Sequence, residues 1–199
     1  ETQIQQVLHF SLAKPALHNA FNALDLALEA RDLPPSGEVD GDDSVTVDLY
    51  NQLFGRADIT WKPAFLDVLA EHYGSNLHVL DFAGDPDGAR VQINDWVFAV
   101  TRDKIVDLLP PGSIDAMVTG VLVNALYLKA PWAAPFDYVE ESGSFTLADA
   151  TTIAAPMMHG AFDTTRHYQA PGVQAAELAL RGGQLKLVVI LPDAGTFDA

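Results

Sequence analysis

The chain has 199 residues, 49% of them hydrophobic and none of them cysteine, with 27 acidic against 11 basic side chains and a formal net charge of −16. That apolar content suffices for a substantial core in one large or two small domains, and the missing cysteine excludes thiol catalysis, disulfides and thiolate metal sites within these residues. The negative charge repels phosphates, so nucleic acid is not an expected partner; nor is a membrane, since no stretch approaches the roughly 20 uninterrupted apolar residues of a spanning helix.

The first residues, TQIQQVL, already place Ile4, Val7 and Leu8 at helical spacing. From Pro15 to about Arg31 a second helix is predicted, with Leu17, Phe21, Leu24 and Leu28 as its apolar stripe and Asn19, Asn22, Asp25 and Glu29 on its exposed side. Residues 34–43, PPSGEVDGDD, have the composition of a loop. Its acids invite a calcium reading, but an EF-hand loop begun at Asp40 lacks the sixth-position glycine and has Asn51 where the bidentate glutamate belongs. A solvated acidic loop is expected instead.

Val45 to Phe54 alternates as a strand that Gly55 is expected to end. Lys62-Pro63 opens a helix with Phe65, Leu66, Leu69 and Tyr73 along one side and Gly74 as its stop, and Leu77 to Phe82 reads as a short strand. Asp85-Pro86 is a cap and first-turn pair for a helix reaching about Thr101, with Ala89, Ile93, Trp96, Val97 and Val100 on its buried side. Val118 to Leu128, VTGVLVNALYL, is predicted to be a central strand covered on both faces, so that the lone amide of Asn124 has to find partners inside the core. The following KAPWAAPF leaves the sheet with Trp132 and Phe136 as aromatic anchors. Strands around Ser144–Leu147 and Ile153–Met158 flank a turn at Asp149-Ala150; three more, Arg166–Ala170, Gln174–Leu180 and Gln184–Leu191, are joined at Pro171-Gly172 and Gly182-Gly183.

No motif points to an enzyme. The six histidines lack metal-site spacing, Glu71-His72 lacks the second histidine of a zinc protease, and there is neither a Gly-x-Ser-x-Gly elbow nor a phosphate-cradling glycine loop. No catalytic residue, metal or cofactor is therefore expected, and Met157 and Met158 read as packing residues.

Four stretches carry a family resemblance. LVNALYLKAPWAAPF, with Asn124, Lys129, Trp132 and Phe136, is similar to the serpin pattern LVNAIYFKGxWxxxF, departing at Ala130. LYNQLFG resembles the ANxLF motif at Asn51 and Phe54, with Tyr50 in place of a small residue. INDWVFAVTRDKIVDLL resembles INxWVxxxTxGKIxxLL at Ile93, Asn94, Trp96, Val97, Thr101, Lys104, Ile105, Leu108 and Leu109, and departs at Asp103 where glycine is usual. Ala155-Pro156-Met157-Met158 is similar to VPMM, and the last strand ends in ILP as serpins do, whereas Leu178-Ala179-Leu180 replaces the usual Leu-Pro-Tyr. The motifs occur in family order along essentially the whole chain.

The resemblance implies an α+β serpin fold, with one large central sheet, two smaller sheets and surrounding helices. It also implies a serine-type, or by the same chemistry cysteine-type, protease inhibitor. A target protease cleaves an exposed loop, which inserts beside the Val118–Leu128 strand and traps the acyl-enzyme. The chain is expected to be an internal segment, residues 1–199, of a single domain of a bacterial-type serpin, lacking the N-terminal helices and the C-terminal reactive-loop region; no reactive site is expected within it. Asn124 then matches a hydrogen-bonded cluster beneath the point of sheet opening, and Trp132 the place where insertion starts; core packing alone accounts for both equally well. The helix at 15–31 lacks clustered Lys and Arg, so no heparin-type site is expected there. The resemblance further implies an extracellular or secreted protein, and open strands suggest self-association of the segment. The alternative is a non-inhibitory binding, carrier or chaperone protein on the same scaffold.

Overall fold

A computed structural model of the chain describes residues 2–38, 41–147, 149–161 and 166–193. The elements in chain order are helices α1 (Thr2–Val7) and α2 (Lys14–Glu29), strand β1 (Thr46–Arg56), helix α3 (Pro63–Tyr73), strand β2 (Leu77–Leu80), helix α4 (Pro86–Val100) and strands β3 (Gly120–Lys129), β4 (Tyr138–Thr146), β5 (Thr152–His159), β6 (Arg166–Ala170), β7 (Val173–Ala179) and β8 (Lys186–Pro192). They fall into two compact units, residues 1–32 with 46–128 and residues 33–45 with 129–199.

The first unit holds a three-stranded sheet in the order β2-β1-β3, with β1 and β2 parallel through the register Leu53↔Leu77 to Arg56↔Leu80. Its core is the face of this sheet under α4. Ala89, Ile93 and Val97, one helical turn apart, are at most 1% exposed and pack with Phe54 of β1, Leu80 and Phe82 at the end of β2, and Val123 of β3. Trp96, Ile105, Leu109, Val118 and Val121 close its margin.

Three expectations change here. Among the described residues β3 lies at the edge of its sheet, with β1 in the centre. It is covered on one face: Val123 and Ala125 are buried, while Leu122, Leu126 and Leu128 are 75%, 57% and 52% exposed. A doubly apolar run permits two-sided burial but does not supply a neighbour for the second face. Gly55 lies one residue inside the end of β1, because Gly55 and Arg56 stay paired with Val79 and Leu80 of β2, and the indole of Trp61 and the side chain of Leu77 occupy the space a Cβ would take. In α2, finally, the less exposed positions are Leu17, His18, Asn22, Asp25 and Leu28, whereas Leu24 is 55% exposed. Leu17 and Leu28 thus keep the expected stripe and Phe21 meets the Tyr73 ring, while Asn22 and Asp25, assigned to solvent, share the packed side, a width of face that hydrophobic spacing alone does not fix.

The second unit contains the hairpin β4-β5 and the meander β6-β7-β8, both antiparallel. The β6-β7 connection is the two-residue turn Pro171-Gly172, where proline presets one φ and Gly172 takes φ +89°. Asp40 lies outside the described residues. Its neighbours Asp42 and Asp43 are held by basic and hydroxyl partners, described below, rather than standing as free ligands.

Candidate functional site

The family-motif residues assemble into two groups, one in each unit. In the first, α4 begins where the Asp85 carboxylate accepts from the Gly88 N–H at 2.9 Å. Asn94 is 5% exposed and clamps the chain that follows the helix: its Nδ2 donates to the Leu109 carbonyl and its Oδ1 accepts from the Leu109 N–H, both at 2.9 Å. Thr101, 1% exposed, donates through Oγ1 to the Val97 carbonyl at 2.7 Å and accepts from the Ile105 N–H at 3.1 Å. Polar groups so deeply buried have to be paired, and both are.

The end of α4 is a double closure: the Asp103 N–H reaches the Phe98 carbonyl and the Arg102 N–H the Ala99 carbonyl, at 2.9 and 3.2 Å. Both residues adopt positive φ, +51° at Arg102 and +63° at Asp103, which gives the physical reason a glycine suits the position of Asp103. Arg102 pairs with Asp48 of β1 at 2.8 Å and lies 4.3 Å over the ring of Tyr127 in β3. Lys104 is exposed, and its N–H bonds the Thr101 carbonyl.

Trp96 stands edge-on to Phe54 and Tyr50, with ring centroids 5.6 and 6.3 Å apart. The bulky Tyr50, noted in the sequence only as a departure, thus completes the aromatic wall under α4. Burial, and then the nearby Asp48 carboxylate, push its phenol above the ordinary range. On the other face of the sheet, Asn124 Nδ2 donates to Asn51 Oδ1 at 2.8 Å and to the Tyr50 carbonyl at 3.5 Å. This joins β3 to β1 by side chains, but Asn124 is exposed, not enclosed in the core, because its face of β3 is the uncovered one.

The second unit gathers Lys129, Trp132 and Phe136. Lys129 Nζ pairs with the Asp42 carboxylate and carbonyl and reaches Ser44 Oγ at 3.3 Å; its hydrogen bond holds the Asp42 carboxyl well below the usual range. Trp132 bridges Leu180, while the Ala133 N–H bonds the Ala179 carbonyl and the Arg181 N–H the Pro131 carbonyl. The Phe136 ring meets Trp132 edge-on at 5.5 Å. Arg181 also anchors the 34–43 loop, donating to the Pro34 and Asp43 carbonyls and pairing with the Asp43 carboxylate at 3.2 Å. That carboxyl is lowered first by hydrogen bonds from Ser36, then by Arg181. Pro156 and Met157 sit in β5 at a bulge opposite Glu140 and Gly143; a Cβ at Gly143 would lie 2.2 Å from Met157 Cγ, so the two positions are shaped for each other. Nothing in the sequence singled out Arg181 or Arg102, because each depends on a partner brought from more than 50 residues away.

The Serpin (serine protease inhibitor) family profile matches residues 1–199. The chain belongs to the serpin family. It is 34% identical to Ipis-1 of Ixodes persulcatus over 150 residues, 74% of this chain and 40% of that protein, and 29% identical to leukocyte elastase inhibitor of Xenopus tropicalis over 96% of this chain and 48% of that protein. Among solved structures, AtSerpin1 of Arabidopsis in its native stressed conformation superposes with a TM-score of 0.78 at 25% identity, covering 97% of this chain and 48% of that one. The serpin chain described here therefore spans less than half the length of the curated relatives it matches. Its mixture of helices and sheets is the α+β fold that the resemblance implied.

Proposed function

We propose that this chain is the sheet-bearing part of an extracellular serine-type protease inhibitor that acts by covalent trapping. A protease attacks an exposed loop lying outside these residues, and its nucleophile becomes esterified to the cleaved loop. That loop then adds to the sheet beside β3 before the ester hydrolyses. Strand addition of this kind is the known behaviour of serpin reactive loops, in which backbone hydrogen bonds supply the driving force. The observation that carries the reading is the position of β3. It is long, rich in strand formers, paired to β1 on one side and, among the described residues, at the sheet edge on the other, which is what a sheet needs in order to take one more strand. Asn124, joined to Asn51 at 2.8 Å, is the polar group whose hydrogen bonds rearrange as the sheet widens, and Trp132 marks where the inserted strand enters.

The test uses the full-length protein, incubated with trypsin-like, chymotrypsin-like, elastase-like and subtilisin-like proteases and run on a denaturing gel. A denaturant-resistant complex of protein and protease is the expected result. Loop cleavage with the protease left active overturns the reading in favour of a non-inhibitory scaffold.

A further inference from the structure

The turn that closes α4 sets two ordinary residues against their backbone preference. Arg102 and Asp103 stand one after the other at φ +51° and +63°. Residues other than glycine hold that conformation only where their surroundings enforce it. Part of the enforcement is the hydrogen bonding of the turn, from the Thr101, Arg102 and Asp103 N–H groups to the Val97, Ala99 and Phe98 carbonyls. The rest comes from one side chain. The Arg102 guanidinium reaches Asp48 of β1 at 2.8 Å and lies 4.3 Å above the Tyr127 ring of β3, so that a single cation touches both strands under α4. The Asp48 side chain is 22% exposed, and its carboxylate also lies beside the phenol of Tyr50. Two departures from the family motifs, the bulky Tyr50 and the turn that carries Asp103 in place of glycine, thus meet around one carboxylate.

We propose that Arg102 is a clasp that fastens the end of α4 to β1 and β3 together, and that residues 102–104 open as a local unit, the turn relaxing as the guanidinium leaves Asp48 and Tyr127 while the middle of the helix stays docked. The two parts of the helix differ in the way this requires. Ala89, Ile93, Val97 and Thr101 are at most 1% exposed, whereas Phe98, Ala99, Arg102, Asp103 and Lys104 all face solvent, so the closing turn has little buried apolar surface to hold it. An ion pair whose arginine is half exposed and one cation–π contact are of the same order as the strain of two left-handed residues, which leaves the clasp closed by a small margin. Its use rests on the reading of β3 as the strand that gains a neighbour: Tyr127 lies two residues from Lys129, at the end of β3 that leads to Trp132, and Arg102 sets how firmly this end is held beneath α4.

Native-state hydrogen exchange of the full-length protein tests the clasp without any protease, so its failure is distinct from a failure to form a protease complex. The amides read are those of Asp103 and Lys104, bonded to the Phe98 and Thr101 carbonyls, against those of Ile93 to Val97 in the middle of the helix, with intrinsic rates corrected. In Arg102→Leu, which keeps an apolar stem without the charge, the turn amides are expected to exchange about tenfold faster, the combined effect of one exposed ion pair and one cation–π contact, while the Ile93–Val97 amides keep their rates. Asp48→Asn, which removes the ion pair alone, is expected to give a smaller rise at the same amides. Unchanged exchange of the turn in Arg102→Leu overturns the proposal, and so does an equal rise along the whole of α4, which makes Arg102 a contributor to overall stability instead of a local clasp. If Arg102→Leu does not fold, Asp48→Asn is judged by the same two criteria.

Discussion

The hydroxyl of Thr101 ties the last turn of α4 to the chain that leaves it, donating to Val97 and accepting from Ile105 within a site 1% exposed. Thr101→Val keeps the shape and orphans the Ile105 N–H, which is expected to cost about 1–3 kcal/mol, read as a lower midpoint in urea unfolding. Two residues on, the strain runs the other way. Asp103 holds φ +63° at the closure of the same helix, a conformation that costs an L-residue about 1–2 kcal/mol, less for aspartate, which tolerates it locally. Asp103→Gly is expected to raise stability by up to about 1 kcal/mol in the same measurement, the gain trimmed by the greater freedom of glycine in the unfolded chain. The departure at Asp103 was visible in the sequence; that it falls on a left-handed position, beside a second one at Arg102, was not, because φ is set by the closing hydrogen bonds to Ala99 and Phe98.

At the scale of elements, close approach decides what periodicity leaves open. Gly55 was readable as a strand terminator, yet β1 pairs with β2 through it to Arg56, and Trp61 folds back over the strand at this point. A Cβ there would lie 2.5 Å from Leu77 Cδ1 and 2.6 Å from Trp61 Cζ2. Gly55→Ala is accordingly expected to destabilise by about 1–3 kcal/mol through overpacking, again checked by urea unfolding. The sequence located nearly every helix and strand to within a few residues, since 3.6-residue and two-residue apolar spacing, the Asp85-Pro86 start and the Pro171-Gly172 turn are local signals. It also identified the buried stripe of α4 through Ala89, Ile93 and Val97. It missed that Leu24 faces solvent and that Asn22 and Asp25 of α2 turn inward, and it misread the second face of β3, because those depend on which neighbour each face meets. His18 packing on Tyr73 and Leu122 standing 75% exposed are facts about neighbours, not about propensity.

For the whole molecule, the motifs share one order along the chain but fall into two compact units, with Asn51, Asn94, Thr101 and Asn124 in one and Trp132, Phe136, Pro156 and Met157 in the other. Apolar surface is open in both: Leu122, Leu126 and Leu128 on β3, and Leu187 to Leu191, each at least 45% exposed, on β8. Under the proposed function the edge of β3 receives a strand when the protein is cleaved, and hydrogen exchange of the Leu122–Leu128 amides in the full-length protein, before and after limited cleavage of its exposed loop, reads this out. The β3 amides not bonded to β1 are expected to become strongly protected after cleavage, while those already bonded to β1 change little. Unchanged exchange along β3 in the cleaved protein would contradict it.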